Sequence, residues 1–205
     1  RYQGHPRSAH ARQSDSRLPV AQVPPLLPLS TRLSQHALVV SQAASFVEGR
    51  SVRLRPHFKN HKCVPPARAQ RAAGGYCGMT AATVNEAAAL VDGGIDDVLI
   101  ANQVVGEAKV ERLLDLAARA TVRVAVDAVE NAAPLGMAAT ARGIEVGVLI
   151  EIDVGSHRSG VQPGQPVLDL AQALMPISGI RFDGIQAYHG YVVGMSLSPE
   201  RDAEA

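Results

Sequence analysis

From about residue 50 onward, short β-branched runs alternate with stretches rich in Ala, Leu and Glu. The runs predict strands at Val52–Lys59, Tyr76–Thr80, Asp97–Ala101, Val122–Asp127, Val148–Asp153 and Phe182–Tyr188. Between them the spacing predicts helices near Pro66–Ala73, Val84–Val91, Glu107–Arg119, Glu130–Arg142 and Pro166–Met175. The second helix opens with a capping box, Thr83 with Glu86 three residues on, and stops at Gly93-Gly94. Pro134 should kink the fourth or push its start later. Runs as continuously apolar as Val148-Leu149-Ile150 imply a parallel sheet covered by helices. Periodicity by itself does not separate a doubly wound sheet from a closed barrel.

The first run differs from the rest. In Val52-Arg53-Leu54-Arg55-Pro56-His57-Phe58-Lys59 the odd positions share one face, which carries Arg, Arg, His and Lys. The other face carries Val, Leu, Pro and Phe. Helices outside a parallel sheet demand the apolar face, so the cationic face looks into an interior, and a barrel has one. A lysine closing such a strand sits at the mouth where barrel enzymes do their chemistry. The alternative is an edge strand whose basic face is merely solvated.

Composition narrows the picture. The chain has 205 residues, 46% of them hydrophobic and 3% aromatic, with no Trp, which suits helices on short aliphatic strands. That length holds one domain, or one and part of another. Twenty basic against 19 acidic side chains leave a net charge of +1, which argues against holding nucleic acid by bulk electrostatics. No run of eighteen apolar residues is present, so no membrane span is predicted. Cys63 and Cys77 are too few for a disulfide framework or a four-ligand zinc site and read as buried small side chains. His57 and His61 are four apart, but on a strand running into a loop they do not converge on a metal. These features describe a soluble, cytoplasmic α/β chain. Residues 1–24, polar and basic at first and then proline-rich, read as a disordered or non-native leader to a domain spanning 25–205.

Arg55-Pro56-His57-Phe58-Lys59-Asn60-His61-Lys62 resembles the RPHxKxHK signature of the D-threonine aldolase and D-serine dehydratase family. The likeness continues in order. Val98 to Val105 is similar to that family's third-strand segment, and its Asn-x-Val-Val ending leans toward the aldolase branch. Val124-Ala125-Val126-Asp127 with Glu130-Asn131 resembles the fourth strand and turn. Glu151 to Val161 resembles a D-x-G-x-x-R-x-G-V loop, and Gly184 to Gly190 the sixth strand.

The resemblance implies the alanine-racemase-like fold of pyridoxal-phosphate enzymes, a (β/α)8 TIM-type barrel of which about six of eight strands are present. It implies that Lys59 joins the aldehyde of pyridoxal 5'-phosphate covalently. Arg158 would approach the cofactor's phenolic oxygen, and Tyr188 would lie against the ring, with the register against His189 open by one position. His57 shares the face of Lys59, and Asn102 and Gln186 are polar liners of the interior. Read without the family, Arg158 is an ordinary loop cation and Tyr188 a packed barrel residue. The implied activity is a lyase acting on β-hydroxy-D-amino acids, cleaving D-threonine-like substrates to glycine and an aldehyde. The alternatives are a D-serine dehydratase, a cofactor-binding protein without turnover, and an inactive fragment. A divalent metal is implied too, its ligands outside this chain. Full-length relatives are expected to be homodimers with a C-terminal β-rich domain. Without that domain and two strands, the chain is expected to be inactive and to fold poorly alone.

Overall fold

The computed structural model describes residues 29–193 and positions 195, 196, 198, 199 and 201. The proposed leader over 1–24 lies outside the described residues. The first element is a helix absent from the sequence reading, α1 (Leu29–Val47). It is followed by α2 (Val64–Ala72), β1 (Met79–Ala81), α3 (Val84–Asp92), β2 (Asp97–Ile100), α4 (Glu107–Ala117) and β3 (Thr121–Val126). Then come α5 (Val129–Ala141), β4 (Val146–Ile152), α6 (Gln165–Leu174), β5 (Ile180–Ala187) and the single turn α7 (Gly190–Val193). The five strands form one parallel sheet in chain order, β1-β2-β3-β4-β5. Consecutive parallel neighbours joined by helices are the βαβ pattern of an open barrel wall.

The first predicted strand is a correction. Val52–Lys59 makes only isolated parallel bridges, Leu54 to Tyr76 and His57 to Thr80. Among the described residues the count is therefore five strands and a bridging segment, not six strands. The chain leaves the extended conformation at Phe58, whose side chain is buried at 2% exposure, and enters a 3₁₀ turn over Phe58–Asn60. His57 caps that turn by accepting the Lys59 N–H at Nδ1, 3.2 Å away. Lys59 thus rides on a 3₁₀ turn rather than closing a strand. Arg53 is exposed. Tyr76 lies ahead of β1, which begins at Met79.

The register explains the two faces of the sheet. Ala81, Ile100, Val124 and Val148 form one row across four strands and are all buried. Leu90 from α3, Leu113 and Leu114 from α4, Leu135 from α5 and Leu174 from α6 belong to the same core. Burial of each such side chain stabilises the fold by about 1.5–3 kcal/mol. The row continues to Phe182 on β5, which is 44% exposed. The opposite row runs Thr80, Leu99, Arg123, Gly147 and Arg181. This inner face is polar and partly open, which is what the cationic run required.

Local signals set the helix ends. Thr83 Oγ1 accepts the Glu86 N–H at 3.2 Å, and Glu86 reaches back to the Ala82 N–H at 2.8 Å. α3 closes with Ile95 N–H on Leu90 O and Gly94 N–H on Val91 O, a Schellman arrangement. Pro134 sits inside α5 without delaying its start, which is Val129. The cysteines also differ from expectation: Cys63 is exposed and Cys77 only half-buried, because neither falls on the apolar row of the sheet. No helix among the described residues is long and apolar enough to cross a membrane.

Candidate active site

The inner face opens into a cavity of about 330 Å³ at the C-terminal ends of the strands. His57, Lys59, Asn102, Arg158, Gln186 and Tyr188 all line it, with Arg55, Thr80, Leu99 and short alanine side chains. All six residues singled out in the sequence are therefore brought to one place. Lys59 Nζ lies 5.7 Å from the centre of the Tyr188 ring, and the Arg158 guanidinium carbon lies 6.0 Å from it. Of the two residues between which the sequence left the register open, Tyr188 lines the cavity, whereas His189 packs where a side chain on Gly155 would stand.

Arg158 is carried by a loop with a dense internal scaffold. Asp153 Oδ1 accepts the N–H groups of Gly155 at 3.1 Å and His157 at 2.9 Å. The His157 N–H bond above all holds the Asp153 carboxyl below the usual carboxylate range. Val161 returns to pair with Ile152, closing the loop at its base. Glu151, 3% exposed, accepts from Ser159 Oγ at 3.1 Å and lies 3.6 Å from Arg158 Nη2. Gln103 Nε2 ties Glu151 to Asp127 at 2.7 and 3.0 Å, and Asp127 also accepts the Gly160 N–H at 3.0 Å. Asp127 just beyond β3, and Glu151 and Asp153 at the end of β4, thus hold the loop that presents Arg158. Buried carboxylates need such a complete set of donors.

His57 is held below the usual imidazole range, chiefly by burial, with the Lys59 charge adding to the effect and Glu86 opposing it. Its Nδ1 accepts the Lys59 N–H, so the neutral ring carries its proton on Nε2 and is a donor there. The unfolded chain takes up this proton at about pH 6.5, above the folded value, so the stabilisation is complete above that pH and is lost as pH falls through the folded value. Melting temperatures taken from about pH 7.5 down to about pH 5 are expected to fall less steeply in His57→Gln than in the parent. Equal slopes would remove His57 from this account.

Asn102 spends its Nδ2 on Ala82 O at 2.8 Å, linking the ends of β1 and β2, and leaves its carbonyl oxygen for the cavity. Gln186 Oε1 is buried with no partner among the described residues. An orphaned acceptor in a polar cavity is the mark of a missing donor. The Lys59 amine, the Arg158 guanidinium and the Tyr188 ring together fit an anionic aromatic aldehyde such as pyridoxal 5'-phosphate, and the free Gln186 amide oxygen is an acceptor for a donor on the bound molecule. Of the further lining residues, the sequence puts Arg55 on the inward cationic face without singling it out for the site, and it does not point to Thr80 at all. Arg55 had a signal, since it shares the odd positions with His57 and Lys59.

Residues 37–202 match the alanine racemase N-terminal domain. The chain belongs to that family. Within it, the chain is 38% identical over 166 residues to 3-hydroxy-D-aspartate aldolase of Paracoccus denitrificans (strain Pd 1222), covering 80% of this chain and 43% of that protein. It is 40% identical over 157 residues to D-threonine aldolase of Arthrobacter sp, covering 77% of this chain and 41% of that one. The crystal structure of D-threonine aldolase from Filomicrobium marinum superposes with a TM-score of 0.81 at 40% identity, over 84% of this chain and 46% of that one. The alanine racemase N-terminal domain described here therefore spans less than half the length of these relatives.

Proposed function

We propose that this chain is the cofactor-binding barrel portion of a pyridoxal-5'-phosphate-dependent lyase that cleaves β-hydroxy-D-amino acids of the D-threonine type to glycine and an aldehyde. The convergence of Lys59, Arg158 and Tyr188 on one cavity carries this reading. The relatives named as aldolases of D-threonine and 3-hydroxy-D-aspartate support it. Bound there, the cofactor supplies an electron-poor ring that accepts the electron pair left on the substrate's α-carbon.

The chain's own residues do the rest. Lys59 holds the cofactor by its amine from the 3₁₀ turn. Tyr188 places its ring beside that amine, and Arg158, fixed by Glu151, offers a guanidinium to an anionic oxygen. His57 presents its Nε2 proton as a donor, and Asn102 and Gln186 present acceptors. The described residues gather no group of three or more His, Cys, Asp or Glu side chains suited to a metal ion. A divalent metal belongs to this proposal through ligands outside them.

Incubation with pyridoxal 5'-phosphate, borohydride reduction and peptide mapping are expected to place the label on Lys59. A label on another lysine, or none on folded protein, would overturn the assignment. For turnover, the full-length protein that contains this chain is to be given D-threonine and 3-hydroxy-D-aspartate. Glycine with an aldehyde supports the aldolase reading, and ammonia with a 2-oxo acid replaces it by the dehydratase.

A further inference from the structure

Beneath the cavity, the inner face carries a continuous series of ion pairs that the activity proposed above does not use. Arg55 Nη1 meets Asp97 Oδ1 at 2.5 Å. Arg123 Nη1 meets the same Asp97 carboxylate at 3.0 Å, and Arg123 Nε meets Asp183 Oδ2 at 2.7 Å. Arg181 joins Asp183 at 2.6 Å and Glu145 at 2.7 Å. Cation and anion alternate from the bridging segment across to β5, three of each, so the series is neutral as a whole. The Arg181 bonds, followed by those of Arg123, hold the Asp183 carboxyl below the usual carboxylate range.

The backbone makes room for this series. In the register, Gly147 stands directly between Arg123 and Arg181, two like charges on one row. Asp183 enters at the irregularity where the β4–β5 pairing skips a residue, and it bonds both arginines. A Cβ on Gly147 would stand 2.5 Å from Asp183 Oδ2 and 2.9 Å from Arg123 Cγ. A missing side chain and a bulge therefore serve one crossing.

The series ends at Arg55, and that end faces the cavity. The Arg55 side chain is 19% exposed and donates one N–H to Asp97. Its guanidinium has five N–H groups, and no other bond from it forms among the described residues. Among the residues lining the cavity are three cations, Arg55, Lys59 and Arg158, and no carboxylate. A half-buried guanidinium with spare donors calls for an acceptor from the ligand.

We propose that Arg55 binds an anionic oxygen of the molecule held in this cavity, and that Asp97 is the positioning residue that aims it, itself steadied by Arg123. The inference rests on the cofactor reading above. It assigns a cation to the floor of the site in addition to Lys59 and Arg158, and it gives the partly buried Arg55–Asp97–Arg123 end of the series a purpose beyond stability. Shielded ion pairs add little net stability, and their directional bonds can fix one side-chain geometry.

The test uses the whole chain, titrated with pyridoxal 5'-phosphate and separately with pyridoxal, with visible circular dichroism of the bound ring as the second readout. Arg55→Gln and Asp97→Asn are each expected to weaken pyridoxal 5'-phosphate binding about tenfold or more and to alter the ring's dichroism. Asp97→Glu is expected to restore part of both. Arg181→Gln breaks pairs at the far end, so it is expected to lower the melting temperature while leaving affinity within about twofold. If the Arg55→Gln defect disappears with pyridoxal, the oxygen belongs to the phosphate; if it persists, the oxygen belongs to the ring. Either result supports the proposal. Parent-like binding and dichroism in Arg55→Gln would overturn it while leaving the cofactor reading intact. Equal affinity losses in Asp97→Asn and Arg181→Gln would reduce the series to a structural brace. Parent protein that binds no cofactor would end both.

Discussion

Gly179→Ala is expected to destabilise the domain by about 3 kcal/mol or more, enough to remove much of the stability of a chain this size. Gly179 has a φ of +80°, a conformation that costs an alanine about 1 kcal/mol before any contact is counted. The contacts are worse. An added Cβ would strike the carbonyl oxygen of Gly136, and it would stand 2.6 Å from Thr140 Oγ1 and 2.8 Å from Thr140 N. Backbone of α5 cannot step aside, because Leu135 and Ala139 beside it are buried in the core. The loop ahead of β5 therefore touches α5 backbone to backbone, and Val146 N–H on Gly179 O starts the β4–β5 pairing at the same point. Urea denaturation followed by circular dichroism is the measurement. A midpoint unchanged from the parent would show that this close approach carries no stability.

Lys59→Ala is expected to abolish covalent capture of pyridoxal 5'-phosphate outright, while shifting the melting temperature little. The side chain is exposed and makes no ion pair among the described residues, so its removal leaves no buried group unsatisfied. Its backbone N–H, which His57 accepts, is retained by any substitution except proline. Lys59→Arg is the sharper companion. It keeps the charge beside Tyr188 but offers no amine able to join an aldehyde, so it should bind the cofactor without trapping it. Absorbance, borohydride labelling and thermal melting separate these outcomes. Trapping retained in Lys59→Ala would move the chemistry to another lysine and dissolve the site as described.

The sheet and its helices were legible in the chain because their signals are local. Val122 to Val126 and Val146 to Ile150 are apolar on the helix side, and α3 starts and stops on residues within a turn of its ends. Helix α1 was not legible. Leu38, Val39 and Phe46 are exposed on it, so no clean apolar stripe announces it. The first run was read as a strand because alternation looks the same in a short extended segment. What ended that segment was burial of Phe58, a demand made by the core and not by the neighbours of Phe58 in sequence.

For the candidate site, the chain on its own singled out the lysine and the loop arginine as candidates, since each sits inside a run of residues that belong together. It also determined the order in which strands and helices follow one another, because hydrophobic period and capping act over a few residues. Only the folded molecule decided which charges meet. Arg123 and Asp183 are 60 residues apart, and Arg55 and Asp97 are 42 apart. Their pairing depends on parallel register, on a skipped residue in β5 and on the missing side chain at Gly147. Electrostatic partners act through space, and nothing in linear spacing records a distance closed by a sheet.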